Sequence, residues 1–377
     1  MRKVLYILTE NLSIGVIKSQ VISHINFIKK NKIASFTVLI CHWSNKELAK
    51  SKEELETVMK EIDCKILFIK IFRPLFFFFS YLNKKKIYKL ISSLNIKFDY
   101  IHARTDYSAN LCQNLTKDYK LIWDCRGDSA AEIDYNNISI FNFIRKFILD
   151  LRFYRAGSLS KKIIFVSSYL KNKFKKKDNT KEIYIIPSLA SETNFFYDRT
   201  IRENYRKKLR LKKNTKVFIY SGSLKPYQSF PETIAFFNSI FLDYTNVFLI
   251  VLTQDINHAK KIIEKNNNIK IITASHNEVN NYLNAADYGI MIRNNDLTNK
   301  AASPTKFAEY CLTGLKVITT SAIEDYNRFK LECDNIFDVK DFEFSNEKKY
   351  NRHEVSIYYK KKLSRNAYRE VYKKLYE

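Results

Sequence analysis

Residues 303–318 read SPTKFAEYCLTGLKVI. Ser303 is a suitable helix N-cap, Pro304 suits the first helical position, and Gly314 suits the end, with a β-branched run following at once. A helix over about 304–313 is therefore expected, lying between strands at 288–293 and 315–320. In a strand-helix-strand unit the start of such a helix lies at the carboxyl edge of the sheet. Its free N–H groups and dipole make that end attractive to anions. Lys306 in the first turn opposes the dipole, where a purely structural helix prefers Asp or Glu. Lys306, Glu309 and Tyr310 share a face. The alternative is a surface ion pair between Lys306 and Glu309, worth under ~0.5 kcal/mol.

The same alternation extends in both directions. Upstream stand VLYILT (4–9), FTVLIC (36–41), KILFIKI (65–71), YIHA (100–103), KLIWDC (120–125), KIIFVS (162–167) and EIYIIPS (182–188). A second series runs KVFIYSG (216–222), VFLIVLT (247–253), IKIIT (269–273), YGIMIR (288–293) and LKVITT (315–320). Amphipathic stretches such as GVIKSQVISHINFIKK separate them. Strands alternating with helices imply two α/β domains, each a parallel sheet wound on both faces, with strand carboxyl ends toward a cleft between them. The expected boundaries are 1–188 and 204–353, a linker at 189–203, and a C-terminal helix over 354–377 that packs back on the first domain. Gly15, Gly127 and Gly222 fall at strand ends, either as plain turns or where backbone must approach a ligand closely.

Composition narrows the function. The 377 residues carry a net charge of +26, spread with Asn and Ile along the whole chain. No helix-turn-helix, zinc-finger or RNP-like pattern accompanies it, so nucleic acid is not the expected partner. The six cysteines (Cys41, Cys64, Cys112, Cys125, Cys311, Cys333) lack metal-ligand spacing and read as free thiols of a cytoplasmic protein. No apolar run approaches the ~20 residues that span a bilayer. In IFRPLFFFFSYLNKKKIYKL (71–90), four phenylalanines adjoin a lysine cluster. This is either a buried helix start with a solvated end, or an interfacial segment on anionic lipid at the inner face of a membrane.

With these residues in hand, SPTKFAEYCLTGLKVI resembles the donor-binding motif of retaining GT-B glycosyltransferases, in particular glycosyltransferase family 4 in its bacterial polysaccharide variant. The resemblance implies a GT-B fold of two Rossmann-like domains facing a cleft. It also implies a nucleotide-diphosphate sugar as co-substrate, with no cofactor and no metal. Glu309 corresponds to the motif's second glutamate, which holds the ribose; the first would fall at Ala301 and is absent. Lys306 would reach the diphosphate, with Ser303, Pro304 and Thr305 offering backbone N–H groups. VFIYSGSLKPYQSF (217–230) is similar to the family's glycine loop, with Gly222, Ser223, Lys225 and Gln228 as donor-binding candidates and Arg293 as a further cation. LTENLSIGVIKSQV is similar to the acceptor loop, where Gly15 permits close approach and Gln20 either hydrogen-bonds or is a solvated helix position.

DYIHARTD (99–106) and IWDCRGDSAAE (122–132) each lie at a strand end. The second is similar to an Asp-x-Arg-Gly variant of polysaccharide enzymes. His102, Asp124, Arg126 and Asp128 are the catalytic candidates and Gly127 an acceptor-side one; His102 reads equally well as a core histidine. Three charges around one glycine make a poor core. Sugar transfer needs donors at the departing diphosphate and carboxylates or carbonyls facing an oxocarbenium-like carbon. No Asp-x-Asp pair, phosphate-binding lysine loop, GxGxxG or HExxH occurs. The expected function is retaining sugar transfer to a glycan or lipid-linked acceptor in bacterial surface polysaccharide synthesis. A catalytically silent nucleotide- or glycan-binding subunit and a nucleotide-sugar epimerase remain as alternatives.

Overall fold

A computed structural model describes the chain apart from residues 10–13, 74–76, 136–138, 176–180, 264–265 and 347–349. Part of the expected acceptor loop and of the phenylalanine run lies outside the described residues. The chain divides into two compact units, Met1–Pro187 with Tyr368–Glu377, and Ser188–Ala367.

The first unit is built on strands β1 (Arg2–Leu8), β2 (Ala34–His42), β3 (Lys65–Lys70), β4 (Tyr100–Arg104), β5 (Lys120–Cys125), β6 (Lys162–Phe165) and β7 (Glu182–Ile185). All pair in parallel, in the order β3-β2-β1-β4-β5-β6-β7. The second unit holds β8 (Lys216–Ser221), β9 (Val247–Leu252), β10 (Ile269–Ile272), β11 (Tyr288–Met291), β12 (Lys316–Thr319) and β13 (Ile336–Asp338). Their order is β10-β9-β8-β11-β12-β13, again all parallel. Both orders reverse beside the first strand, between β1 and β4 and between β8 and β11. Loops leave the carboxyl ends of such neighbours in opposite directions and open a crevice.

Continuous apolar runs form these strands because helices cover both sheet faces. In the second unit Val217, Ile219, Ile250, Leu252, Met291 and Val317 face one core. Their alternates Phe218, Tyr220, Leu249, Val251, Ile290 and Ile318 face the other. The sequence pattern locates twelve of the thirteen strands among the described residues. It misses β13, whose three residues sit inside a charged tail and hold the sheet edge by pairing with β12.

Gly314 ends the helix Thr305–Leu312 with φ +63°, and a Cβ there would stand 2.2 Å from the Arg352 carbonyl oxygen. Only glycine satisfies both conditions. Residues 189–203, expected as a linker, lie within the second unit: Ala190 bridges to Ser364, and Arg199 opens a helix. The expected single C-terminal helix is two, Arg352–Leu363 in the second unit and Arg369–Tyr376 in the first. All six cysteines are free thiols. Among the described residues no helix is long and apolar enough to cross a membrane.

Candidate functional site

The helix Thr305–Leu312 starts one residue later than its sequence suggests. Pro304 occupies the N-cap position with φ −66° and ψ 125°, and no side chain caps the first turn. Ser303 is not the cap: its Oγ accepts from the Ser188 N–H at 2.8 Å and pairs with the Tyr326 hydroxyl at 2.9 Å. The serine is therefore a brace between segments. Tyr310 fixes the rotation of the helix. Its ring packs where a Cβ on Gly289 would fall, and its hydroxyl accepts the Ser221 N–H at 2.9 Å. With Tyr310 so held, Lys306 one turn earlier is aimed at the end of β8.

The Lys306 ammonium lies 4.1 Å from the centroid of the Tyr220 ring. A Cβ on Gly222 would stand 3.1 Å from Nζ, so the glycine makes room for the lysine. Gly222 itself adopts φ +142°, a conformation that side-chain-bearing residues avoid. Lys306 is buried, yet it makes no hydrogen bond or ion pair with a described residue. Burial, and then the nearby Arg293 charge, push its pKa well below the usual lysine range, with Glu309 opposing. Arg293 follows β11 and is also buried; its guanidinium donates to the Tyr227 carbonyl at 2.5 Å and to Gln228 Oε1 at 2.7 Å. Two buried cations thus converge at the crevice between β8 and β11.

Glu309 is the carboxylate that acts on Lys306. It keeps an edge open to solvent, and burial pushes its carboxyl up to about 7 against the pull of Lys306 and Arg365. Burial thus disfavours the charged form of both Lys306 and Glu309, as is common for groups at functional sites. Pro304 and Thr305 lie half-buried at the helix start. Ser223 and Lys225 sit exposed at the rim, where the Ser223 carbonyl accepts from the Tyr220 hydroxyl at 2.6 Å. The structure thus brings Gly222, Gln228, Arg293, Lys306 and Glu309 together. The sequence reading missed Tyr220 and Arg365; the first was legible in YSG, whereas the second comes from a distant tail.

A second cluster stands at the carboxyl ends of β4 and β5 in the first unit, where Arg104 and Asp124 are register partners. Asp124 is buried. Around its carboxylate lie the Tyr6 hydroxyl at 3.5 Å, His102 Nε2 at 3.6 Å, Arg104 at 3.7 Å and Arg126 at 3.5 Å. Burial alone would raise its pKa, but Arg126, His102 and Arg104 hold it well below the usual carboxylate range. Gln20 is not a solvated position: its Oε1 accepts from Arg104 at 2.6 Å and from Arg126 at 3.4 Å. His102 is packed in the core, stacked on Tyr6 with centroids 4.4 Å apart, and its Nδ1 pairs with the Tyr376 hydroxyl at 2.8 Å.

Asp128 does not join this cluster through any hydrogen bond. One of its oxygens accepts from the Ala130 and Ala131 N–H groups, both at 3.2 Å, and the other from Lys173 at 2.7 Å. Its carboxylate is consumed in capping a turn. A Cβ on Gly127 would meet only Glu132 at 3.8 Å, and one on Gly15 would meet nothing within 4 Å. Arg104, Tyr6 and Tyr376 were missed as site residues, although Arg104 lies in the quoted DYIHARTD. Among the described residues, no three His, Cys, Asp or Glu side chains converge as a metal site would require.

No protein-family model matches the chain, and no curated protein matches it. Solved structures do. HepE from Anabaena, crystallised with UDP-glucose, superimposes with a TM-score of 0.68 at 11% identity, covering 100% of this chain and 99% of that one. A glycosyltransferase from Rickettsia africae gives 0.65 at 15% identity, with 100% and 97% covered. A proposed UDP-N-acetylglucosamine 2-epimerase from Listeria monocytogenes gives 0.54 at 13% identity, with 100% and 90% covered. The chain has the GT-B fold. At these identities the likeness speaks of architecture alone, and activity has to be argued from the residues.

Proposed function

We propose that this protein is a glycosyltransferase that takes a sugar from a nucleotide-diphosphate donor and passes it to a glycan or lipid-linked acceptor. The observation that carries the proposal is Lys306: a buried side chain with no hydrogen-bonding partner among the described residues, lodged against the Gly222 backbone at the β8–β11 crevice, with a second buried cation, Arg293, acting on it. Such an arrangement costs stability unless an anion completes it. A diphosphate supplies that charge, with Lys306, Arg293 and the uncapped helix start as its partners. Glu309 then holds the ribose, and Gln228 keeps Arg293 aimed. That HepE was crystallised with UDP-glucose on the same fold supports the donor class.

In this reading the chain follows the retaining family 4 pattern and works without a metal, in bacterial surface polysaccharide synthesis on the cytoplasmic side of the membrane. Preorganised cations neutralise the charge that gathers on the departing diphosphate. Asp124, kept ionised by its arginines, is the carboxylate we assign to developing positive charge on the sugar carbon. Gln20, Arg104 and Arg126 would orient the acceptor, near open backbone at Gly15 and Gly127.

A second reading rests on Ala301. It stands where the family motif has its first glutamate, and it is fully buried. Loss of that contact favours a binding subunit without turnover; the Listeria likeness keeps an epimerase in view. Incubation with a panel of nucleotide sugars separates these readings. Release of nucleoside diphosphate that disappears in Lys306→Ala supports the transferase; tight binding with no release supports the silent subunit. Epimerised donor without an acceptor would identify the third.

A further inference from the structure

The helix Ile140–Leu159 of the first unit has two apolar faces and buries one. Phe153, Ala156 and Gly157 point into the core, where Phe153 meets Trp123 edge-on with centroids 5.0 Å apart. At 3.6 residues per turn, Ile140, Phe143, Ile144, Phe147 and Leu151 fall on the opposite side. They are 72%, 73%, 50%, 60% and 52% exposed, and Phe141 beside them is 80% exposed. Scattered exposed apolar residues are ordinary, but five large ones aligned over three turns form a patch that seeks a partner.

Basic side chains border this stripe. Of the acidic ones nearby, Asp134 pairs with Lys146 at 2.7 Å and Asp150 with Lys173 at 2.8 Å. Arg145 makes no ion pair with a described residue. Arg155 and Lys84 donate to the same neutral acceptor, Gln113 Oε1, at 2.6 and 2.7 Å. That shared glutamine sets the helix Phe77–Ser93 alongside, which exposes Tyr81 with Lys85 stacked 4.5 Å above its ring.

We propose that this face docks on an anionic lipid bilayer. The helix lies in the interface plane with Ile140, Phe143, Ile144, Phe147 and Leu151 at the acyl boundary, and Arg145, Arg155 and Lys84 meet headgroup phosphates. An apolar stripe bordered by basic side chains, some ~17 Å long at 1.5 Å per residue, has the form of an interfacial helix. A second copy fits less well. It would bring the same cations face to face in a chain of net charge +26. This proposal does not depend on the sugar-transfer reading.

Flotation of the full chain with vesicles tests it, using phosphatidylcholine alone or with phosphatidylglycerol. Recovery with the anionic vesicles is expected, falling roughly tenfold with neutral ones. The double substitution Phe143→Asp, Phe147→Asp should cut anionic recovery by about tenfold or more, with an unchanged circular dichroism spectrum. Arg145→Glu, on an exposed position, should do the same and remove part of the salt dependence. Equal wild-type recovery from anionic, neutral and lipid-free samples would overturn the proposal. So would light scattering that shows a wild-type dimer converted to monomer by the double substitution, since the face would then be a self-interface.

Discussion

Lys306 fills the space that a side chain on Gly222 would need. The placing of Lys306 therefore depends on a hydrogen atom at position 222, and on its φ of +142°. Gly222→Ala places a Cβ about 0.3 Å inside ordinary contact with a flexible lysine tip, which can move, while the backbone strain remains. We expect a loss of about 1–3 kcal/mol in chemical denaturation and loss of nucleotide binding by calorimetry. Unchanged affinity would show that the Lys306 position is irrelevant to the ligand.

Lys306→Met should separate stability from function. The thioether keeps the length and removes a buried charge, so the unfolding midpoint of the ligand-free protein should rise, by about 1 kcal/mol or more in free energy. Affinity for nucleoside diphosphates should fall about 10- to 100-fold, the value of one or two charge-assisted hydrogen bonds. A variant that is both less stable and fully active would contradict the anion-site assignment.

Anion binding should also move protons. Because burial and Arg293 depress the Lys306 pKa, a diphosphate that restores the ammonium takes up a proton above the depressed value. Calorimetry of UDP binding in buffers of different ionisation enthalpy should report net uptake at pH values above the depressed Lys306 pKa and none well below it. That uptake should vanish in Lys306→Met.

Glu309 gives a sign in the opposite sense. Its carboxyl is pushed up to about 7 from an ordinary 4.5, so the folded state binds the extra proton between these values. Its contribution is fully present below 4.5 and is lost as pH rises through about 7. The stability difference between wild type and Glu309→Gln should therefore favour the variant increasingly across that window. A difference that is flat with pH would mean the carboxyl is solvated as usual.

Tyr376 carries a prediction for the first unit. Its hydroxyl pairs with His102 at 2.8 Å and with His24 at 3.3 Å, both buried. Tyr376→Phe should cost about 1–3 kcal/mol and loosen His102 beside Asp124. Slower transfer at unchanged donor affinity would identify Tyr376 as a positioning residue; unchanged stability would show that the two histidines find other partners.

Sequence periodicity sufficed for twelve strands because a strand covered on both faces must be a continuous apolar run. Ile336–Asp338 escaped because a three-residue edge strand is too short to show a periodic apolar pattern. At the site, residue types were legible where local chemistry was odd, as with a lysine in the first turn of a helix or three charges around Gly127. Partners were not. Asp128 read as part of a charged trio, and only packing shows that Ala130, Ala131 and Lys173 consume its carboxylate. Ser303 read as a cap, and Ser188, 115 residues away, claims it instead.

By itself the sequence determined the alternation of strand and helix, and with it two doubly wound sheets, since those patterns depend on neighbours a few residues apart. Tertiary structure decided which charges meet. Lys306 faces Tyr220, Gly222 and Arg293 because Tyr310 packs against Gly289 and turns the helix, a contact invisible to any local pattern. Burial then sets the protonation of Lys306 and Glu309, because desolvation depends on everything packed around a group and not on its place in the chain.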